Sequence, residues 1–216
     1  MKLLKRIEML LFVKPPGWFR RVSPRTVWRI PTDEKVLFLT FDDGPVPGNT
    51  EWILAELAKF EAKATFFCVG ENVISYPGLY RMILNGGHDT GNHTSQHLNG
   101  YRTGIRHYVK DVYRARKVIE SRLFRPPYGR IRPVVTRILS RHFSIILWDI
   151  LSMDYDCELS PEQVLGNVIA SAGPGSIVVF HDHVKARKNL EYVLPQVLGW
   201  YAGQGYKFVP LSQFLF

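Results

Sequence analysis

From Lys35 to the C-terminus, short apolar runs alternate with segments of helical length, and this restricts the chain to strand and helix units around a parallel sheet or barrel. The apolar stretch 36–41 reads as the first buried strand. Asn49 or Thr50 is expected to cap a helix running to Phe60, with Glu51 in its first turn. Further strands are expected at 64–69, 88–92, 143–148, 176–180 and 206–209. Helices are expected from Pro77 to the Gly86-Gly87 stop and over 103–122, 133–141, 161–171 (capped by Ser160) and 190–201. With 216 residues and 46% hydrophobic content, the chain suits one domain with a sizeable core.

Polar residues fall at regular places in this pattern. Asp42 and Asp43, His93, Arg125, Asp149 or Asp154, and His181 each follow the C-terminal end of an expected strand. In a barrel of strand and helix units those ends converge on one face, where active sites are built.

The residue types suit hydrolysis. Of two adjacent carboxylates, one can bind a cation while the other accepts a proton from water. His93 and His97 have the i, i+4 spacing that puts two imidazoles on one side of a helical turn, and two imidazoles with a carboxylate suit zinc or a similar divalent ion. Three protein ligands would leave positions open for water and substrate, as a catalytic site requires.

These residues resemble the motifs of the polysaccharide deacetylases, the NodB-homology group of carbohydrate esterase family 4. Thr40-Phe41-Asp42-Asp43-Gly44 is similar to the first motif and His93-Thr94-Ser95-Gln96-His97 to the second. Arg125-Pro126-Pro127-Tyr128 matches the third. The fourth corresponds to Trp148 through Asp154-Tyr155, and the fifth to Ile177 through His181-Asp182. The resemblance covers about 35–209. It implies an α/β fold, a distorted (β/α) barrel of about seven strands, and a hydrolase that removes N-acetyl or O-acetyl groups from a glycan or glycoconjugate.

On that resemblance Asp43, His93 and His97 would hold one divalent ion, with zinc ahead of cobalt or manganese. Asp42 would be the base toward the attacking water, whose pKa a bound cation lowers. Arg125 would pair with Asp42 and orient it. The backbone N–H of Tyr128 would help stabilise the oxyanion, and His181 would protonate the departing amine. A carboxylate keeps such an imidazole cationic. The resemblance assigns that part to Asp154, whereas the residues alone do not choose among Asp154, Asp149 and Asp182. Trp148, Tyr155 and Val179 would wall the acetyl group. Tyr155 stands where the family usually has Trp, and Val179 where Leu is common, so acyl and sugar preference are the properties these departures touch.

Two other readings share the fold: a carbohydrate-binding protein without turnover, and a metal-independent amidohydrolase of a small nitrogen compound. The chain keeps a candidate for every catalytic role, which favours the enzyme. Asp42 and Asp43 could otherwise hold a turn before Gly44-Pro45. His88 reads as a packed histidine and His183 as a surface one. The Lys185, Arg187 and Lys188 cluster reads as a solvated helix start, or else as the outer part of a groove for an anionic glycan.

The net charge of +9 is concentrated before Pro31, where Lys2, Lys5, Arg6, Lys14, Arg20, Arg21, Arg25 and Arg29 face Glu8 alone. Residues 1–34 are therefore read as a basic arm packing on or near a catalytic domain of 35–216. Leu3, Leu4, Ile7, Leu10 and Leu11, with Trp18 and Phe19 behind them, give that arm a face for peripheral membrane contact. Its apolar stretch 9–13 is short for a secretory signal, and no later run has the length of a membrane span. The expectation is a cytoplasmic or membrane-surface protein. Basic residues clustered at one terminus, without interleaved stacking aromatics, argue against nucleic acid as partner. Cys68 lies in an apolar run and reads as a small buried hydrophobe, and neither cysteine has zinc-knuckle spacing.

Overall fold

The computed structural model of this protein describes residues 13–15 and 24–215. The apolar face expected around Leu3, Leu4, Ile7, Leu10 and Leu11, and the aromatics Trp18 and Phe19, lie outside the described residues. Among the described residues no helix is long and apolar enough to cross a membrane.

The strands are β1 (Thr26–Val27), β2 (Val36–Asp42), β3 (Thr65–Cys68), β4 (Asp89–Asn92), β5 (Leu123–Phe124), β6 (Ser144–Ile146), β7 (Ile150–Leu151), β8 (Ile177–His181) and β9 (Lys207–Phe208). The helices are α1 (Asn49–Ala58), α2 (Gly70–Ser75), α3 (Pro77–Asn85), α4 (Ile105–Ala115), α5 (Pro133–Leu139), α6 (Pro161–Ile169), α7 (Arg187–Ala202) and α8 (Ser212–Leu215). The ladders between named strands are all parallel, in the order β1-β6-β5-β4-β3-β2-β8-β7, with β9 beside the first residues of β2.

This order requires the sheet to curl. β6 lies near one end of the path and β7 at the other, yet only Leu147, Trp148 and Asp149 join them. That connection spans at most about 14 Å. An antiparallel bridge between Arg29 and Ser176 ties the segment after β1 to the base of β8. The result is the distorted (β/α) barrel, with nine strands where about seven are expected. Beyond the six stretches read as strands are the two-residue β1 and β5, and β7, which follows β6 after three residues. Part of the segment read as an arm, Thr26–Val27, thus adds a strand to the sheet.

The period of two along each strand sorts the core into layers. On β2, Leu37, Leu39 and Phe41 face the helices with Phe66, Cys68, Val178 and Phe180, while Val36 and Phe38 turn inward with Phe67 and Ile177. Phe41 stacks on Phe66 and Phe180, with centroids 5.0 and 5.8 Å apart. Cys68 is a buried free thiol and Cys157 an exposed one. At the N-terminal ends of the strands α8 closes the barrel: the Leu211 N–H donates to Thr65 Oγ1 at 3.0 Å, and Ser212 bonds to Asp89. At the other end the same alternation turns Thr40 and Asp42 of β2, and Val179 and His181 of β8, toward the interior mouth.

Several local expectations are corrected. The cap of α1 is Gly48, at φ 77°, with its N–H held by the Glu51 carboxylate at 2.6 Å. Asn49 and Thr50 instead direct their side chains to Asp182, at 2.8 and 2.5 Å. The helix expected over 103–122 ends at Ala115, though the following turn still buries Ile119. The motif Arg125-Pro126-Pro127-Tyr128 runs into a 3-10 turn at Pro127–Gly129. α6 carries the expected Ser160 cap, whose hydroxyl accepts from the Gln163 N–H at 3.3 Å.

Candidate active site at the mouth of the barrel

Asp42 ends β2 and Asp43 follows it at φ 80°, a left-handed backbone that Asp tolerates better than most residues. The bend separates the two carboxylates. Asp42 stays in the barrel wall, where one oxygen accepts from Arg125 Nη1 at 2.7 Å. Asp43 swings outward toward the histidines, and its carbonyl accepts from Asn72 Nδ2 at 2.8 Å.

Arg125 is fully buried after β5. Besides Asp42, Nη1 donates to Thr40 Oγ1 at 2.7 Å, Nη2 to the Leu147 carbonyl at 3.2 Å and Nε to the Ile146 carbonyl at 3.4 Å. The guanidinium lies over the Phe67 ring, 4.1 Å from its centroid. Burial lowers the Arg125 pKa and Asp42 opposes the shift. A buried charge is tolerable when it is paired and its donors are satisfied, as they are here.

His93 and His97 meet Asp43 by a route different from the one expected. Residues 93–97 are an irregular loop with Thr94 at φ 63° and His97 at φ 52°, so the spacing of four is not that of a helical turn. Buried polar groups fix the loop. Asn92 accepts from the Thr94 N–H at 2.9 Å, and one Asp111 oxygen accepts from the N–H groups of Ser95 and Gln96 at 2.9 and 3.0 Å. Asn92 Nδ2 also donates to the Val112 carbonyl. Asp111 on α4, together with Asn92 and Asn72, supports the site without having been identified from the sequence, and so does Thr40, which was read as part of the first motif but given no role. Asn92 borders the second motif. Asp111 gave no signal, because it meets the loop only through the packing of α4.

The donor set of Asp43, His93 and His97 fits a divalent ion. One ligand atom from each lies within 4.8 Å of the others. His97 Nε2 is 3.0 Å and His93 Nε2 3.6 Å from Asp43 Oδ1. His93 Nδ1 sits 2.8 Å from the Arg125 carbonyl, which can only accept, so the ring proton belongs on Nδ1 and the Nε2 lone pair faces Asp43. Burial lowers the His93 pKa to about 4, leaving the imidazole neutral. Burial alone would raise the Asp43 pKa, but the hydrogen bond with His97 and the nearby His181 and His93 hold it well below the usual carboxylate range. A cation between these lone pairs removes their mutual repulsion.

Across the mouth stands a group of opposite bias. His181 Nδ1 is 2.7 Å from Asp154 Oδ1, and Asp154 Oδ2 accepts from the His181 N–H at 2.8 Å. Ser152 Oγ donates to Asp154 Oδ1 at 3.0 Å, and Asn189 Nδ2 holds the Asp154 carbonyl. Burial lowers the His181 pKa, but the Asp154 charge and hydrogen bond outweigh it and raise the pKa to about 9.

The three carboxylates left open by the residues alone are now distinguishable. Asp149 precedes β7 and binds the base of β8, accepting from the Ile177 N–H at 2.7 Å and Ser176 Oγ at 2.9 Å, with Arg29 alongside at 3.2 Å. Asp182 points away from His181, holding Asn49 and Thr50, and burial raises its pKa to about 7. A Cβ on Gly44 would fall 2.1 Å from the Asp182 carboxylate, which explains the glycine after the Asp pair. Only Asp154 meets His181.

The remaining residues surround the mouth. Tyr128, at φ 61° and 60% exposed, sets its ring edge against His97 with centroids 4.8 Å apart. Its N–H has no acceptor among the described residues. Gly129 packs on the Trp148 ring so closely that a Cβ would lie 2.6 Å from it, and the buried Trp148 Nε1 also lacks a partner. Tyr155 sets its edge against His181 at 4.8 Å, and Val179 is buried one turn of the pleat below. His88 is packed as expected: its Nδ1 accepts from the Ala64 N–H, and burial lowers its pKa to about 4. Arg187 is tied to Glu191, the Gly48 carbonyl and the Trp52 ring rather than to the mouth.

An Asp/His/His donor set that could hold a cation, a carboxylate clamped by a buried arginine and an imidazole held cationic by Asp154 gather at the C-terminal mouth of a curled parallel sheet. Residues 29–142 match the family described as Polysaccharide deacetylase. The chain belongs to the polysaccharide deacetylase family. The peptidoglycan-N-acetylglucosamine deacetylase of Bacillus cereus is 33% identical over 195 residues, 87% of this chain and 92% of that protein. The chitooligosaccharide deacetylase of Sinorhizobium fredii is 32% identical over 166 residues, 73% of this chain and 77% of that one. A crystallised peptidoglycan N-acetylglucosamine deacetylase superposes with a TM-score of 0.82 at 27% identity, over 91% of this chain and 95% of its own. The family match ends before β6, so the Asp154–His181 pair rests on the geometry described above.

Proposed function

We propose that this enzyme hydrolyses the N-acetyl groups of N-acetylglucosamine units in a glycan polymer or oligosaccharide, using one zinc ion. The observation that carries the mechanism is the opposed bias of the two sides of the mouth: Asp42 clamped by Arg125 on one side, His181 held cationic by Asp154 on the other. Similarity to a peptidoglycan and to a chitooligosaccharide deacetylase supports the substrate class.

Asp43, His93 and His97 would hold the ion, which when bound supplies Lewis acidity toward water and the acetyl carbonyl. Asp42 accepts a proton from the attacking water, and Arg125 keeps its acceptor oxygen aimed into the mouth. The unpaired Tyr128 N–H donates to the oxygen on which charge develops. His181 then passes its Nε2 proton to the departing amine, so water and amide leave as acetate and free amine. Asp154 orients the imidazole through Nδ1. Trp148, Tyr155 and Val179 enclose the acetyl methyl group, and Val179 leaves slightly more room there than the usual leucine. The catalytic unit begins by Thr26, because β1 completes the sheet.

The test is acetate release from chitooligosaccharides and peptidoglycan fragments, with O-acetylated sugars in parallel, before and after chelation and zinc return. Chelation should abolish release and zinc restore it. Unchanged release in chelator would refute metal dependence, and release from O-acetyl sugars alone would refute the substrate assignment. Asp43→Ala should lose stoichiometric zinc.

A further inference from the structure

The buried carboxylate that follows His181 takes no part in the reaction, yet its contacts reach the metal side of the mouth. Asp182 extends the β8 ladder by one residue, its N–H donating to the Asp42 carbonyl at 2.8 Å. Strand alternation turns His181 into the mouth and sends Asp182 to the other face, against Gly44 and the first residues of α1. It is fully buried there.

Both of its oxygens are engaged. Oδ1 accepts from Asn49 Nδ2 at 2.8 Å and Oδ2 from the Thr50 hydroxyl at 2.5 Å. Arg187 Nη1 lies 3.5 Å from Asn49 Oδ1, which puts the amide oxygen on the arginine side and its nitrogen on the carboxylate. Thr50 has a single hydroxyl proton, and the carboxylate at 2.5 Å is a stronger acceptor than the Val46 carbonyl at 3.1 Å. A lone pair of Thr50 Oγ1 then accepts from the Val46 N–H at 2.7 Å. A relay thus runs from Asp182 through Thr50 to the backbone of the turn that follows Asp43.

Gly44 meets the same carboxylate directly, since a Cβ there would fall 2.1 Å from Asp182 Oδ2. From the opposite side the Val69 N–H donates to the Gly44 carbonyl at 2.9 Å, and Asn72 Nδ2 to the Asp43 carbonyl at 2.8 Å. Asp43 sits between these two sets of contacts at φ 80°, a conformation that persists when its surroundings over-determine it.

We propose that Asp182 is a positioning residue for the metal: through Gly44, Thr50 and Val46 it fixes where Asp43 presents its carboxylate and so sets zinc affinity, a role that rests on the reading of Asp43 as a ligand. With the relay broken, the turn must be ordered when the ion binds, and that ordering weakens binding.

Zinc affinity is measured on the full chain by competition with a chromophoric chelator, beside urea midpoints and the visible spectrum of the cobalt-loaded protein. Thr50→Val keeps the shape of the side chain and removes the hydroxyl, so the Val46 N–H and one Asp182 oxygen lose their partner. It should weaken zinc binding about tenfold and alter the cobalt spectrum. Thr50→Ser restores the hydroxyl and should bind zinc as the native protein does. Asp182→Asn sets an amide nitrogen against one of two donors and should match Thr50→Val; if it does not fold, the two threonine variants decide. Native zinc affinity and cobalt spectrum in Thr50→Val, with only the urea midpoint lowered, would overturn the proposal and leave Asp182 an anchor of α1. Equal losses in Thr50→Val and Thr50→Ser would overturn it as well. Asp43→Ala separates the two levels. If that variant keeps stoichiometric zinc, the ligand reading fails and the positioning role with it, whereas its loss of zinc beside an unchanged Thr50→Val refutes the positioning role alone.

Discussion

Asp154→Asn removes a charge while keeping the size of the side chain, and its effect should depend on pH. In the native enzyme His181 has a pKa of about 9 because Asp154 outweighs the cost of burial. An opposite charge at this distance accounts for roughly 1–3 pKa units. Without it the imidazole should titrate near or below about 7. At pH 8 the native group is then about 90% protonated and the variant about 10% or less, so kcat/KM should fall at least about tenfold. At pH 6 the protonated fractions approach each other and the loss should shrink to that from disturbed positioning, including the weakened Asp154 Oδ2 bond to the His181 N–H. The assay is kcat/KM for acetate release on one chitooligosaccharide between about pH 5.5 and 10. An alkaline limb that stays in place, or a loss of equal size at every pH, would refute the role given to the pair. The same shift has a stability signature. His181 is raised above its unfolded value of about 6.5, so its contribution is complete below that pH and is lost as pH rises through about 9. Native thermal stability should decline across that window, and Asp154→Asn should flatten the decline.

Other perturbations probe the supports. Arg125→Gln leaves Asp42 without its buried partner and should lower stability by about 3–5 kcal/mol in denaturant titrations, so a shift below about 1 kcal/mol would contradict the buried pairing. Asp111→Ala orphans the N–H groups of Ser95 and Gln96 and should loosen the loop carrying both histidines. Zinc affinity by competition with a chelator should drop about 10–100-fold, and unchanged affinity would remove Asp111 from the support of the site. Gly129→Ala forces a Cβ against the Trp148 ring at a left-handed backbone position. It should reduce kcat more than it raises KM, while an unaltered kcat would show that the Tyr128 N–H is not held by this packing.

What the sequence disclosed follows a physical line. The buried run 36–41 announced β2 because its neighbours lie on both sides and all its residues are buried. The placement of Asp42, His93, Arg125 and His181 at one mouth followed from parallel strands alone. Local pattern did not disclose which interactions tertiary packing would substitute for secondary structure. The His93 and His97 spacing resembled a helical turn, but Asn92 and Asp111 satisfy the loop's backbone instead, which frees Thr94 and His97 to take left-handed conformations. The run 143–148 read as one strand because its hydrophobicity is continuous, although the chain leaves β6 after Ile146 and crosses to the far edge of the sheet. α2 is a single short stretch after β3 with no strong apolar stripe, and it passed unnoticed. The choice among Asp149, Asp154 and Asp182 needed the fold itself, since all three lie close to strands and differ only in which end or face they reach.

The central claim is that Asp42 removes the proton from water while Asp43, His93 and His97 hold the ion. Asp42→Asn, loaded with zinc, tests it most directly by metal analysis and acetate release on one preparation. Zinc should remain stoichiometric while turnover falls about 100- to 10,000-fold. Full zinc with turnover near the native rate would contradict the account.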